Sequence, residues 1–150
     1  MKWIDERLNA KRQGTNYKNG SYITALEGKT EIRLADGTYE PMSKVQLGQK
    51  LSTGKVIGLV KKEVYETCEL PSGEHVSSGN LIWIPSERCW KRAFEHFKPK
   101  TLENPEIYYS IICSPSGIFE TKGKQMMRDY LEVHSPDTEH FYAKHLEFET

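Results

Sequence analysis

The chain has 150 residues, and its 21 Lys and Arg balance 21 Asp and Glu, so the formal net charge is zero. That balance argues against the broad basic field on which sequence-independent nucleic-acid binding rests. No apolar run approaches the length of a membrane span, and Met1-Lys2-Trp3-Ile4-Asp5-Glu6-Arg7 lacks the apolar core of a signal peptide. The length suits one domain with terminal appendages.

Residues 1 to about 12 read as one or two helical turns, with Trp3, Ile4 and Leu8 on a narrow apolar face. Gln13 to Ser21 is rich in turn formers and reads as a linker, so 1–21 is assigned as an N-terminal arm. From Tyr22 to about Tyr130 short apolar-alternating runs are punctuated by Gly, Pro, Ser and Asp. Strands are expected at Glu31–Leu34, Tyr39–Pro41, Gln49–Leu51, Lys55–Tyr65, Thr67–Leu70 and His75–Ser77. Further strands are expected at Leu81–Ile84, Cys89–Lys91, Tyr108–Cys113, Gly117–Thr121 and Lys124–Arg128, with a helical turn at Ala93–Phe97. Turns roughly every eight to twelve residues argue for a closed or folded-over β architecture over 22–132. Beyond it, Ser135, Pro136, Asp137 and Glu139 make a good helix start. The stretch 133–150 is therefore assigned as a helical extension carrying Phe141, Leu146 and Phe148.

Residues able to carry chemistry are scattered. The three cysteines, Cys68, Cys89 and Cys113, lack zinc-site spacing and read as free thiols. His75 lies near Ser77 and Ser78, but a Ser/His pair also needs an orienting acid and an oxyanion site, and the sequence indicates neither. His134, His140 and His145 lie near acids, yet a spacing of five places the last two on different helix faces. Neither metal nor cofactor is expected. The Lys61-Lys62, Lys91-Arg92 and Lys98–Lys100 clusters read as solvated faces broken by Glu63, Glu95 and Glu103.

Three segments together resemble one family. The run Ala25-Leu26-Glu27-Gly28-Lys29-Thr30-Glu31-Ile32-Arg33-Leu34-Ala35-Asp36-Gly37, followed by Leu47-Gly48-Gln49-Lys50-Leu51, is similar to the opening of the Hint (hedgehog/intein) module. That module reads roughly Cys-x-x-Gly-x-Thr-x-Ile-x-Leu-x-Asp-Gly, and Asp36-Gly37 suits its tight hairpin turn. Val76-Ser77-Ser78-Gly79-Asn80-Leu81-Ile82, followed by Cys89-Trp90, resembles the Val-x-Thr-x-x-His stretch. Tyr108 to Phe119, running on to Arg128-Asp129, resembles the closing hairpin that ends in His-Asn. The Asp129-Tyr130-x-Glu132 ending, with Glu95 to Lys100, resembles Hint-like domains of bacteriophage structural proteins.

The resemblance implies an all-β, Hint-like horseshoe of short strands and long hairpins, with an N-terminal arm and a C-terminal helix. It places Ala25 on the nucleophile, Ser78 on the threonine, Leu81 on the histidine and Arg128-Asp129 on the closing His-Asn. An alternative register puts Ser21 at the nucleophile. Hint processing needs a thiol or hydroxyl, a general acid and a carboxamide, and Ala25, Leu81 and Asp129 supply none of these. No catalytic residue is therefore expected. The reading is a non-enzymatic virion component, made in the host cytoplasm and not secreted. It docks through Trp3, Ile4, Leu8, Phe141, Leu146 and Phe148 onto other virion proteins or itself, with no nucleic-acid or membrane partner. The alternative is an autoprocessing domain inactivated at Ala25.

Overall fold

A computed structural model describes residues 22–132. The expected arm, including Ser21, and the C-terminal helix lie outside these residues, as do Trp3, Ile4, Leu8, Phe141, Leu146, Phe148, His134, His140 and His145. Within them the chain is all-β. Its strands are β1 (Leu26–Glu27), β2 (Glu31–Arg33), β3 (Tyr39–Pro41), β4 (Lys50–Leu51), β5 (Gly54–Glu69), β6 (His75–Ser77) and β7 (Leu81–Ile84). β8 (Cys89–Arg92), the one-turn helix α1 (Ala93–His96), β9 (Lys100–Pro115), β10 (Ile118–Glu120) and β11 (Met126–Arg128) complete the order.

The β5 and β9 strands, each 16 residues long, pair antiparallel from Gly54↔Pro115 to Thr67↔Lys100. β6 pairs with the end of β5 at Cys68↔Val76, β1 pairs with β6 at Leu26↔Val76, and β1 pairs with β9 at Leu26↔Tyr109. These four strands thus form a closed circuit that satisfies backbone groups on both sides of β1. A second sheet has the order β10-β11-β7-β8, and β2-β3 forms a hairpin joined to its neighbours by the Ile32↔Thr121 and Leu34↔Leu51 bridges. The main core lies between the sheets and contains Leu26, Ile32, Val56, Ile82, Ile111, Phe119 and Met127.

Several strands differ in extent from the sequence pattern, for physical reasons. Lys55–Tyr65 and Thr67–Leu70 are one strand, because the irregularity near Glu66 is absorbed as a register shift between Val64 and Glu66. β9 begins eight residues before the expected Tyr108: pairing with β5 carries it through polar Lys100–Ile107, where no apolar alternation marks a strand. β1 is only two residues long and has no periodic signal, so it exists only through its neighbours. Two of the basic residues read as solvated are buried. Lys62 is turned inward from β5, and Arg92 is held in an ion pair with Glu132. A long cationic side chain on a strand faces inside or outside by parity, which a charge cluster does not reveal.

Gly54 opens β5 directly against the Ser114 carbonyl, where an added Cβ would collide with that oxygen and approach Pro115 Cδ at 3.4 Å. Gly54→Ala should lower stability by about 1–3 kcal/mol, the usual cost of forcing atoms into a packed site. Urea unfolding would show the loss as a reduced midpoint with an unchanged slope.

Candidate functional site

The site forms where the chain enters and leaves the β module. Residues 22–25 enter against the corner between β6 and β7, which runs through Ser77, Ser78, Gly79 and Asn80. Gly79 permits the approach: a Cβ there would lie 2.8 Å from Tyr22 Cβ and 3.1 Å from the Ile23 carbonyl oxygen. The corner is pinned from below, since the Ala93 and Phe94 amides of α1 donate to the Asn80 and Ser78 carbonyls at 2.8 and 2.9 Å.

Ser77 grips the entering strand at three atoms. Its hydroxyl donates to the Ile23 carbonyl at 2.7 Å and accepts from the Ala25 amide at 3.0 Å, while its own amide donates to the Ala25 carbonyl at 2.8 Å. Thr24, Ala25 and Ser77 are all fully buried. Ala25 packs with Ile23, Val64 and Tyr108, and its methyl group has no reactive atom. The hydroxyl at the Ala25 amide therefore belongs to Ser77, one residue before the expected Ser78. The Leu26↔Val76 pairing decides this, because it sets Ser77 beside Ala25. Ser78, also buried, uses its backbone to reach Glu66 and Phe94. With the same three-residue spacing, Asn80 stands where Leu81 was expected. Its Nδ2 donates to the Leu81 carbonyl at 3.1 Å, and its Oδ1 has no partner among the described residues. Leu81 opens β7 opposite Arg92.

The departing segment meets the entering one. The Thr24 hydroxyl donates to Glu132 Oε2 at 2.9 Å across 108 residues of sequence, and Arg92 donates to the same oxygen. Arg92 also donates to the Gly79 carbonyl at 3.1 Å, and its guanidinium lies 4.4 Å from the centre of the Tyr22 ring. Removing one partner of such a buried ion pair typically costs about 3–5 kcal/mol. Glu132 takes a left-handed backbone (φ 51°), rare for a side-chain-bearing residue and worth about 1–3 kcal/mol of strain. The bonds to its carboxylate hold it there. No spacing rule links Thr24, Arg92 and Glu132; the only sequence signal is the place of Glu132 in the Asp129-Tyr130-x-Glu132 ending.

Arg128 and Asp129 lie beside this network. The Arg128 guanidinium stacks 4.2 Å from the Trp90 ring centre, and its Nε and Nη1 have no hydrogen-bond partner among the described residues. Burial lowers its pKa, opposed by the charges of Asp129 and Glu132. Asp129 accepts from the Cys113 and Glu132 amides, each at 3.0 Å. Burial nevertheless pushes its carboxyl up to about 7, because the two donors and a third from Leu131 only partly offset desolvation and the Glu132 charge adds to it.

Other candidates lead elsewhere. The His75 ring faces Glu69 at 3.6 Å and Glu27 at 3.9 Å rather than Ser77. Cys68 and Cys113 are buried free thiols whose pKa burial raises, and Cys89 is a half-buried one. An open groove of about 350 Å³ is lined by Glu31, Glu74 and Lys122, but Glu74 is engaged by Ser72, Thr121 and Gly123 and Glu31 by Lys122. Among the described residues no cluster of His, Cys, Asp or Glu suits a metal ion, and no helix is long and apolar enough to cross a membrane.

No family model matches the chain, and no curated protein matches it. Solved structures do. The gp41-1 intein superposes with a TM-score of 0.56 at 15% identity, covering 71% of this chain and 98% of that one. The described domain has the Hint fold. The Ssp DnaB mini-intein variant M86 gives 0.56 at 13% identity over 75% of this chain and 98% of its own. A DnaB intein from Synechocystis sp. PCC 6803 gives 0.54 at 13% over 71% and 98%. These neighbours correct the expectation that the chain is not an enzyme: the fold is the one inteins use, and the methyl group at Ala25 does not establish inactivity.

The buried Asp129 carboxyl has a pH signature. Its folded pKa lies above the unfolded value of 3.8, so the folded state binds the proton more tightly. This contribution to stability is complete below about 3.8 and is lost as pH rises through about 7, with a slope of at most about 1.4 kcal/mol per pH unit. Urea unfolding from pH 4 to 8 should show that decline. Asp129→Asn should flatten it while lowering overall stability by about 1–3 kcal/mol, because one amide donor loses its acceptor.

Proposed function

We propose that this chain is an autoprocessing Hint domain that acts on its own backbone at the segment entering β1. The observation that carries the reading is the buried Ser77 hydroxyl, which spans residues 23–25 by donating to the Ile23 carbonyl and accepting from the Ala25 amide. A hydroxyl placed there holds the backbone in one conformation and polarises a carbonyl in a dry site, where such a bond is worth more than in water.

The Hint pattern assigns the nucleophile to Ala25, whose side chain cannot attack. The bacteriophage setting rests on the Asp129-Tyr130-x-Glu132 resemblance alone, and the docking residues proposed with it lie outside the described part of the chain.

The reading is tested by supplying the missing group. In Ala25→Cys the thiol sits beside the Thr24 carbonyl, and incubation with a small thiol should release fragments 1–24 and 25–150 by mass spectrometry. Adding Ser77→Ala to that variant should slow release, because the Ala25 amide then loses the hydroxyl that holds it in place. A folded Ala25→Cys protein that stays intact with thiol, in a chain that is not cleaved elsewhere within residues 22–25, would overturn the proposal, cooperative urea unfolding being the check that the extra sulfur is accommodated.

A further inference from the structure

The hydrogen bonds at the site do not centre on the peptide bond before Ala25. They centre on the bond before it, Ile23–Thr24. The only carbonyl in this segment that receives the Ser77 hydroxyl is that of Ile23, at 2.7 Å. The residue that follows it, Thr24, carries a hydroxyl that is fully buried and bonded at 2.9 Å to a carboxylate. The Ala25 amide, on the far side of Thr24, completes the grip by donating to Ser77.

We propose that Thr24 is the native nucleophile of this domain and that it attacks the Ile23 carbonyl, with Glu132 as general base and Ser77 as the oxyanion donor. The inference rests on the autoprocessing reading above and moves its reactive bond by one residue. A threonine hydroxyl can reach the preceding carbonyl carbon through a five-membered ring.

The step balances without a co-reactant. The Thr24 Oγ1–carbon bond forms as the hydroxyl proton passes to Glu132 Oε2, and the carbonyl oxygen takes the negative charge and is met by the Ser77 O–H. The carbon–nitrogen bond to Thr24 then breaks, and Glu132 returns the proton to the departing amine. The amide has become an ester linking Ile23 to the Thr24 side chain, with the Thr24 α-amine free. Water then cleaves the ester, leaving a carboxyl group on Ile23 and restoring the Thr24 hydroxyl. Arg92, paired to the same Glu132 oxygen and anchored on the Gly79 carbonyl, is a positioning residue that keeps the carboxylate against Thr24.

The amide is the more stable partner of this equilibrium, so the ester is detected by trapping. Incubating the full chain with hydroxylamine at neutral pH should release 1–23 as its hydroxamate and 24–150, identified by intact mass. A cut after Asn19, which alkaline hydroxylamine makes at Asn19-Gly20, is separated from it by mass. Thr24→Val, which keeps the shape and removes the hydroxyl, should abolish the cut. Thr24→Ser should keep it, and Thr24→Cys should convert it to cleavage by small thiols. Glu132→Gln should slow it in the Thr24→Ser background. Wild-type and Thr24→Cys chains that unfold cooperatively yet stay whole would overturn the assignment, as would a cut that survives Thr24→Val. If in that case Ala25→Cys is still cleaved after residue 24, the autoprocessing reading stands and only Thr24 falls. If none is cleaved, both fall.

Discussion

The antiparallel ladder between β5 and β9 is the constraint on which the rest of this domain depends. It runs from Gly54↔Pro115 to Thr67↔Lys100 and is the longest pairing among the described residues. Neither strand could hold its backbone groups satisfied alone. Once they are paired, the far end of β5 offers an edge to β6, and the middle of β9 offers one to β1. The two-residue strand β1 bridges those edges, so the chain entrance is held by backbone bonds on both sides. Few short segments could be positioned as rigidly by their own propensity.

That rigidity makes the polar site possible. Thr24, Ser77, Arg92, Asp129 and Glu132 are all buried within one small region. Burying two carboxylates and a guanidinium is expensive, and a partly satisfied network would cost more than an apolar core. The domain offsets the cost with specific partners: Arg92 and Thr24 on Glu132, and backbone amides on Asp129. The offset is incomplete at Asp129, whose carboxyl remains neutral to about pH 7, and at Arg128, which keeps two donors without partners among the described residues. Strain at Glu132 is stored in the same place. Unbalanced electrostatics and a strained backbone thus concentrate where the entering segment meets the departing one.

Hairpins and turn chemistry were legible in the sequence. Asp36-Gly37 marks the β2–β3 turn, and His75–Ser77 and Leu81–Ile84 are short runs set off by the turn residues around them. The order of three weak motifs was enough to indicate the Hint fold. The site was less legible. Ser77 and Ser78 are adjacent serines in one motif, and choosing between them needs to know which faces Ala25. Thr24 and Glu132 stand 108 residues apart and follow no spacing rule. Arg92 looked like half of a solvated Lys-Arg pair, because charge in a sequence carries no information about which face of a strand it occupies.

The sequence by itself determined the all-β character of residues 22–132, the turns, and the absence of a nucleophilic side chain at Ala25, since these follow from residue type and local periodicity. Only the tertiary structure decided which hydroxyl grips the entering chain, and that Thr24, Glu132 and Arg92 form one cluster. Strand register is set by pairing between distant segments, and a shift of one residue turns every side chain to the other face. The position of a buried polar group in this fold is therefore a property of the ladder and not of the motif.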